Sequence, residues 1–394
     1  MAKPKLALIP AAQGTKLYSV LPSDGVGDFD FTRGSVATRI NAQGLIENVA
    51  SGQSRLDYPL IDGVQKGCPH HILEPQRTNL LPYSNDFSQW TSDTNATIAS
   101  NNAISPDGTL NADKLIAGSS VARQAIKLNV SLSGEISLSV FAKKGEYSVI
   151  QFTDALNGSY FINFDLQTGT IGSSNTMQGK IENIGNDWYR CSASYNSSNA
   201  IISFRLSISK SRNSARLDPN FAGNSSDGLY IYGAQVEAGS YATSYIPNNG
   251  NAAGVTRSAE TATGAGNSTT FNDSEGVLMA EISGLGNVTS SVISINNGSN
   301  SQKIMLYLLN NNTIRFYAQG VGSAVTGDIS IPSTNVFLKC LFKYKANDFA
   351  VWVNGFELNT NTSSTTFTGL SSLDFYNPYS GGSEFFYGKT KQIQ

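Results

Sequence analysis

The chain has 394 residues, with 27 Lys and Arg against 29 Asp and Glu, a formal net charge of -2 and a pI near 5.8. That length predicts two or three modules, and 40 % apolar residues with a mean hydropathy of -0.19 are enough to core them in a water-soluble protein. Only 14 % of residues are charged, against roughly 25 % in ordinary globular domains; Ser, Asn and 37 Gly stand in their place, which suits strands and tight turns and excludes a mostly helical protein.

No basic run is present to track a phosphate backbone, so nucleic acid is not an expected partner. No apolar stretch approaches the roughly 20 residues that a membrane helix needs, so membrane insertion is not expected either. Residues 1–10 carry two lysines and too short an apolar run for a signal peptide, which predicts synthesis in a cytoplasm. Cys68, Cys191 and Cys340 are far apart and odd in number, so they read as incidental thiols rather than a disulfide framework.

Residues 1–80 are rich in turns such as Ser23-Asp24-Gly25-Val26-Gly27-Asp28, with only brief apolar alternation. Such a segment has little to bury alone and is expected to gain order by packing on neighbours or partner chains, as an extended docking segment. From about 81 to 250 period-2 alternation takes over. Glu135–Ala142, Tyr160–Leu166, Ile202–Ser209 and Leu229–Val236 place apolar residues at every second position, predicting antiparallel strands with one face on a core and the other in water. Asp107-Gly108, Asn157-Gly158, Thr168-Gly169 and Asp227-Gly228 punctuate them as turns. Residues 248–267, polar and Gly-rich, read as a linker or outer loop.

A second sandwich is predicted over 251–394, with strands at Gly276–Ile282, Lys303–Leu308 and Thr313–Ala318 and a hairpin Phe337–Tyr344 with Phe349–Val353. Lys389–Gln394 looks like the start of a strand. Its edge is expected to be unpaired, as in a protein that continues further. The predicted fold is therefore all-β: an N-terminal docking segment (1–80) and two antiparallel β-sandwich, jelly-roll or lectin-like modules (81–250 and 251–394).

Gly14–Pro22, Gly27–Arg33, Ala37–Asn41, Gly44–Glu47, Arg55–Tyr58, Cys68-Pro69 and Leu73–Leu80 together form a block that resembles the N-terminal region of structural proteins of tailed bacteriophages. Tyr83–Trp90 and the closing stretch Gly233–Pro247 are similar to a carbohydrate-binding-module-like jelly roll of phage head-spike, head-fibre and tail-fibre proteins. Lys343-Tyr344 and Val351–Gly355 resemble the concanavalin A/laminin-G lectin sandwich. The resemblance implies a non-enzymatic virion component, a surface fibre or spike of head-fibre type, assembled in the host bacterial cytoplasm. It also implies a homotrimer contacting other virion proteins (capsid, or baseplate and tail), with host surface polysaccharide as a ligand. A tail-fibre receptor-binding adhesin and a polysaccharide depolymerase are the alternatives.

Catalytic motifs are few. His70 and His71 are the two histidines; as neighbours on an extended chain they point opposite ways and converge poorly on one metal or nucleophile. Glycoside cleavage needs only two carboxylates, for which Asp154, Asp165, Asp187 and Glu237 are available. No catalytic residue is assigned and no cofactor is implied. Asp24, Asp28 and Asp30 share a Gly-containing loop and are candidate Ca²⁺ ligands, the alternative being an acidic turn bonded to its own backbone. Sugar binding calls for an exposed aromatic face with polar groups beside it, which singles out Trp90, Trp188, Tyr189, Tyr241 and Trp352, with Tyr245 also considered. Trp188, at a turn-to-strand entry, is expected to be exposed; the face of Trp352, between Val351 and Val353, depends on strand pairing.

Overall fold

The alternation of Ile136, Leu138 and Val140 becomes the strand Gly134–Lys143, paired on both sides at the centre of a six-stranded sheet. In the computed structural model, which describes residues 3–217, 220–286, 290–378 and 384–394, the chain is all-β. Its strand ladders are antiparallel, and among the described residues the helical content is one 3-10 turn, Phe87–Gln89, capped by Asp86.

The central sandwich stacks two six-stranded sheets. One orders its strands Thr91–Ser92, Ala125–Ser131, Ile201–Ser209, Val149–Asp154, Phe161–Asp165 and Thr170–Asn175. The other orders Thr97–Ile104, Leu110–Ile116, Gly228–Ala238, Gly134–Lys143, Trp188–Ser197 and Gln178–Gly185. Phe152, Phe164 and Phe204 meet Leu138, Val140 and Ile231 between them. The outer faces are not in water as the alternation predicts: Ser137, Ser139, Ser203 and Ser207 are all buried. The first sheet's outer face is capped where Gln151 and Asn163 hydrogen-bond the carbonyls of Arg212, Ser214 and Ala215. The second lies under residues 240–245, where Arg190 donates to Ser139 Oγ and to the Thr243 carbonyl.

The C-terminal sandwich sets a five-stranded sheet (Val325–Ser330, Thr313–Gln319, Lys303–Leu309, Ser290–Asn296, Ser372–Asp374) against an eleven-stranded one. The larger sheet runs from Phe356–Asn361 through Phe349–Val353, Leu338–Lys345 and Glu275–Gly284 to Gly388–Ile393. The expected unpaired edge is absent. Gly388–Ile393 pairs with Glu275–Gly284 on one side and with both His70–Leu73 and Ala7–Gln13 on the other. From there Lys16–Leu21, Phe29–Thr32 and Thr261–Thr263 continue the sheet. The N-terminal segment thus packs on a neighbour within its own chain, placing Leu6, Leu8, Leu17, Phe29, Phe31 and Leu73 in the C-terminal core.

Residues 248–267 are correspondingly not a free linker. Val255–Arg257 pairs with Arg77–Asn79, and Thr261–Thr263 pairs with Phe29–Thr32. Between those strands lies a buried ionic cluster. Arg55 binds Glu260 and, at 2.8 Å, Glu74; Arg33 meets Glu260 at 2.7 Å and Arg257 meets Glu74 at 2.8 Å, with side chains 0–3 % exposed. The Arg257 and Arg55 guanidiniums outweigh burial and hold the Glu74 carboxyl well below the ordinary carboxylate range.

Removing one partner of such a cluster leaves an uncompensated buried charge, so Glu260→Ala should destabilise the fold by about 3–5 kcal/mol, read as a lowered unfolding midpoint. His71 supplies a pH signature. Its ring is buried, Nε2 lies 3.3 Å from the Ile9 carbonyl oxygen, and burial pulls its pKa down to about 4. The unfolded chain binds that proton more readily. Stability should therefore fall as pH drops from about 6.5 towards 4, by about 3 kcal/mol for this residue, and His71→Gln should remove that share from the pH dependence of the melting temperature.

Candidate functional site

Strand pairing decides which way Trp352 points. Phe349, Val351 and Val353 enter the core, so Ala350 and Trp352 lie on the opposite, outer face of the large sheet. Trp352 pairs with Leu341, and Leu341 with Met279, which carries one apolar row across three strands. With Val277, Lys339, Lys343, Gly355 and Gln392 these residues line an open cavity of about 470 Å3. Trp352, Leu341 and Met279 are half-buried, and Val277 is exposed.

The polar groups at the rim differ in their freedom. Lys343 Nζ is 2.5 Å from Asp348, and Gln392 Nε2 donates to Glu281 at 3.1 Å. The Lys339 ammonium has no ion-pair or hydrogen-bond partner among the described residues, while its backbone N–H donates to Asn354 Oδ1. The Asn354-Gly355 turn, with φ of 51° and 88°, closes the hairpin beside Trp352 and leaves Phe356 71 % exposed next to it. The result is an indole flanked by aliphatic side chains, an uncommitted ammonium and an amide, all carried on paired strands.

The other aromatics singled out in the sequence do not join it. Trp90 is 5 % exposed, packed on Phe87 and Phe204, with its indole N–H donating to the Tyr83 carbonyl at 3.0 Å. Trp188 corrects a definite expectation: it is 2 % exposed. The left-handed turn Asn186-Asp187 delivers it to the outer face of its sheet, where the hairpin of strands Ala37–Ile40 and Ile46–Val49 covers it with Ile46, and its N–H donates to the Ile104 carbonyl at 3.1 Å. Neither indole has a face to offer a ligand. Tyr189 is half-buried against the central core, and Tyr245 is buried beside Phe141 and Tyr232. Tyr241 is half-buried under Arg77, whose guanidinium sits 5.4 Å from its ring centre.

The carboxylates are individually committed. Asp154, on one sheet of the central sandwich, accepts from the Ser203 and Leu156 N–H groups; Glu237, on the other, accepts from Thr243. Asp165 accepts from the Gln167 N–H, and Asp187 is exposed near Lys143. In the acidic loop Asp24 bonds the Val26 N–H, Asp28 the Ser19 N–H and hydroxyl, and Asp30 pairs with Lys16 at 2.6 Å. Only the Asp24 contact is that of an acidic turn bonded to its own backbone; Asp28 and Asp30 bond residues of the strand Lys16–Leu21. Among the described residues no group of three or more His, Cys, Asp or Glu is placed to hold a metal ion, and no helix is long and apolar enough to cross a membrane.

No family model matches the chain, and no curated protein matches it. Among solved structures it is similar to domains LG4-5 of the mouse laminin α1 chain, at 9 % identity over 71 % of this chain and 88 % of that one, with a TM-score of 0.26. It is also similar to a candidate carbohydrate binding protein from Bacteroides ovatus, at 11 % identity over 70 % and 76 %, with a TM-score of 0.24. Similarity at this level carries no functional argument.

The contrast between the tryptophans is measurable. Trp188→Ala should cost about 3–5 kcal/mol because it empties a packed site. Trp352→Ala should cost no more than about 1 kcal/mol, as expected for a surface position, when both are followed by chemical denaturation.

Proposed function

We propose that this chain is a non-enzymatic carbohydrate-binding structural protein of a tailed-phage virion surface, and that the outer face around Trp352 receives the sugar. The observation that carries the glycan reading is the half-buried indole displayed outward on a paired strand, with the free Lys339 ammonium and the Gln392 amide within the same cavity. Indole faces stack on the C–H surface of pyranose rings while amide and ammonium groups take the hydroxyls, and a paired strand holds that geometry at little entropic cost.

The virion reading is supported by the phage-like block at residues 14–80. It is supported further by the hairpin Ala7–Gln13 and Lys16–Leu21, which leaves Ile9, Tyr18, Val20 and Leu21 exposed as a surface for another virion protein. A head fibre is the preferred position, with capsid proteins as partners, and a trimer would raise weak monovalent sugar affinity by multivalency.

Labelled protein should bind host cells saturably, and stripping the surface polysaccharide should abolish that binding. Trp352→Ala should weaken it by about tenfold or more, equivalent to about 1.4 kcal/mol, without loss of folding. Unchanged binding by a folded Trp352→Ala variant would sink the site assignment, and binding that survives removal of the polysaccharide would sink the glycan reading.

A further inference from the structure

A larger cavity, about 700 Å3, opens where three parts of the chain meet. His70 comes from the N-terminal segment; Lys180, Glu182 and Arg190 come from the edge of the central sandwich; Tyr241 comes from the stretch after it; Lys389 comes from the terminal strand of the large sheet. The approach is close. A Cβ built on Gly286, beside the end of Glu275–Gly284, would come within 2.7 Å of the Tyr241 ring.

Arg39, Lys180, Arg190 and Lys389 line this wall with Asp57, Glu74 and Glu182, and Lys180 is paired with Glu182 at 2.7 Å. Lys389 has no ion-pair or hydrogen-bond partner for its ammonium among the described residues, and it lies in the field of Asp57 and Glu182. Burial pushes the Glu182 carboxyl up, yet Lys180, Arg190 and Lys389 together hold it below its ordinary value, which places all three cations around one acid. Arg190 Nη2 is used on Ser139 and Thr243, but its Nε–H is buried without a partner. The Tyr241 hydroxyl is likewise unpartnered. His70 is 1 % exposed; Nε2 faces Asp57 at 3.3 Å, and Nδ1 is left without a partner. Each buried polar group without a partner costs about 1–3 kcal/mol, so several in one cavity point to a ligand that satisfies them.

We propose that this cavity binds an acidic sugar unit, a hexuronic acid, with its carboxylate on the Lys389 ammonium and the Arg190 Nε–H and its hydroxyls on Tyr241 and His70. A carboxylate supplies the acceptors that the Lys389 ammonium and the Arg190 Nε–H lack, and ring hydroxyls both donate and accept, as the imidazole and phenol require. The site is distinct from the Trp352 face and does not depend on it. Because all three parts of the chain line the cavity, the bound sugar also ties them together.

The test is calorimetric titration and thermal unfolding of the full chain with glucuronate, glucose, acetate and inorganic phosphate. Glucuronate should bind saturably and raise the melting temperature, whereas the other three should do neither. Lys389→Gln should weaken glucuronate binding by about tenfold or more, Tyr241→Phe should weaken it several-fold, and Trp352→Ala should leave it unchanged. Glucose binding as well as glucuronate would remove the acidic assignment; acetate or phosphate binding as well would reduce the cavity to an anion site. Full affinity retained by both folded variants, Lys389→Gln and Tyr241→Phe, would overturn the placement.

Discussion

The arrangement rests on the buried cluster of Arg33, Arg55, Glu74, Arg257 and Glu260. Taking five charges out of water is expensive, and mutual attraction compensates only if nearly every donor is matched. Here the matching is thorough apart from Arg257, whose Nε–H is buried without a partner. Beyond the ion pairs, the Glu74 N–H donates to Glu260, the Ser244 N–H donates to Glu74, and Arg55 also reaches the Thr38 carbonyl. Three guanidiniums against two carboxylates leave an excess positive charge, which the structure spreads over the carbonyls of Ser35, Val49, Ala50 and Pro75. Such contacts are directional, and they fix the relative positions of the N-terminal segment, the stretch after the central sandwich and the strand that re-enters the large sheet. An apolar patch of equal area would tolerate sliding; this cluster does not.

That constraint explains why the modules are less separate than the sequence suggests. The period-2 runs were legible because strand parity is local: Ile136, Leu138 and Val140 face one core whatever surrounds them. What covers the other face is not local. Ser137 and Ser139 read as solvent-facing, yet they are buried because residues 240–245 fold back over them, held through Thr243 by Arg190 and Glu237. Arg33 and Glu260 are 227 positions apart, and no spacing rule connects them. Glu74 and Asn79 stand in the Leu73–Leu80 run that carried the phage resemblance, and both are buried in intramolecular contacts.

The two tryptophans misjudged or left open show the same limit. Parity placed Trp352 on one of two faces, and pairing with Leu341 chose the outer one. Trp188, expected to be exposed at its turn-to-strand entry, lies on the outer face of its sheet, but there the Ala37–Ile40 and Ile46–Val49 hairpin seals it. Local sequence is the same kind of evidence in both cases. The difference is whether a distant segment arrives on top.

The two proposed sugar sites are linked by a single irregularity. Glu281 pairs with Gln392, but Ile282 pairs with Thr390, so the terminal strand carries an extra residue, Lys391, which meets Glu281 at 3.2 Å. Without that bulge Lys389 and Gln392 would alternate onto opposite faces; with it Gln392 borders the Trp352 cavity and Lys389 lines the larger one, both on the outer side of the sheet. Met279, which lines the first cavity, and Ser283, which lines the second, are four positions apart on the neighbouring strand, or about 13 Å at the usual strand rise. If both sites bind, their closeness on a sheet whose neighbours are pinned by a buried ionic cluster would let them act on one polymer at high effective concentration, so neither would have to be tight by itself.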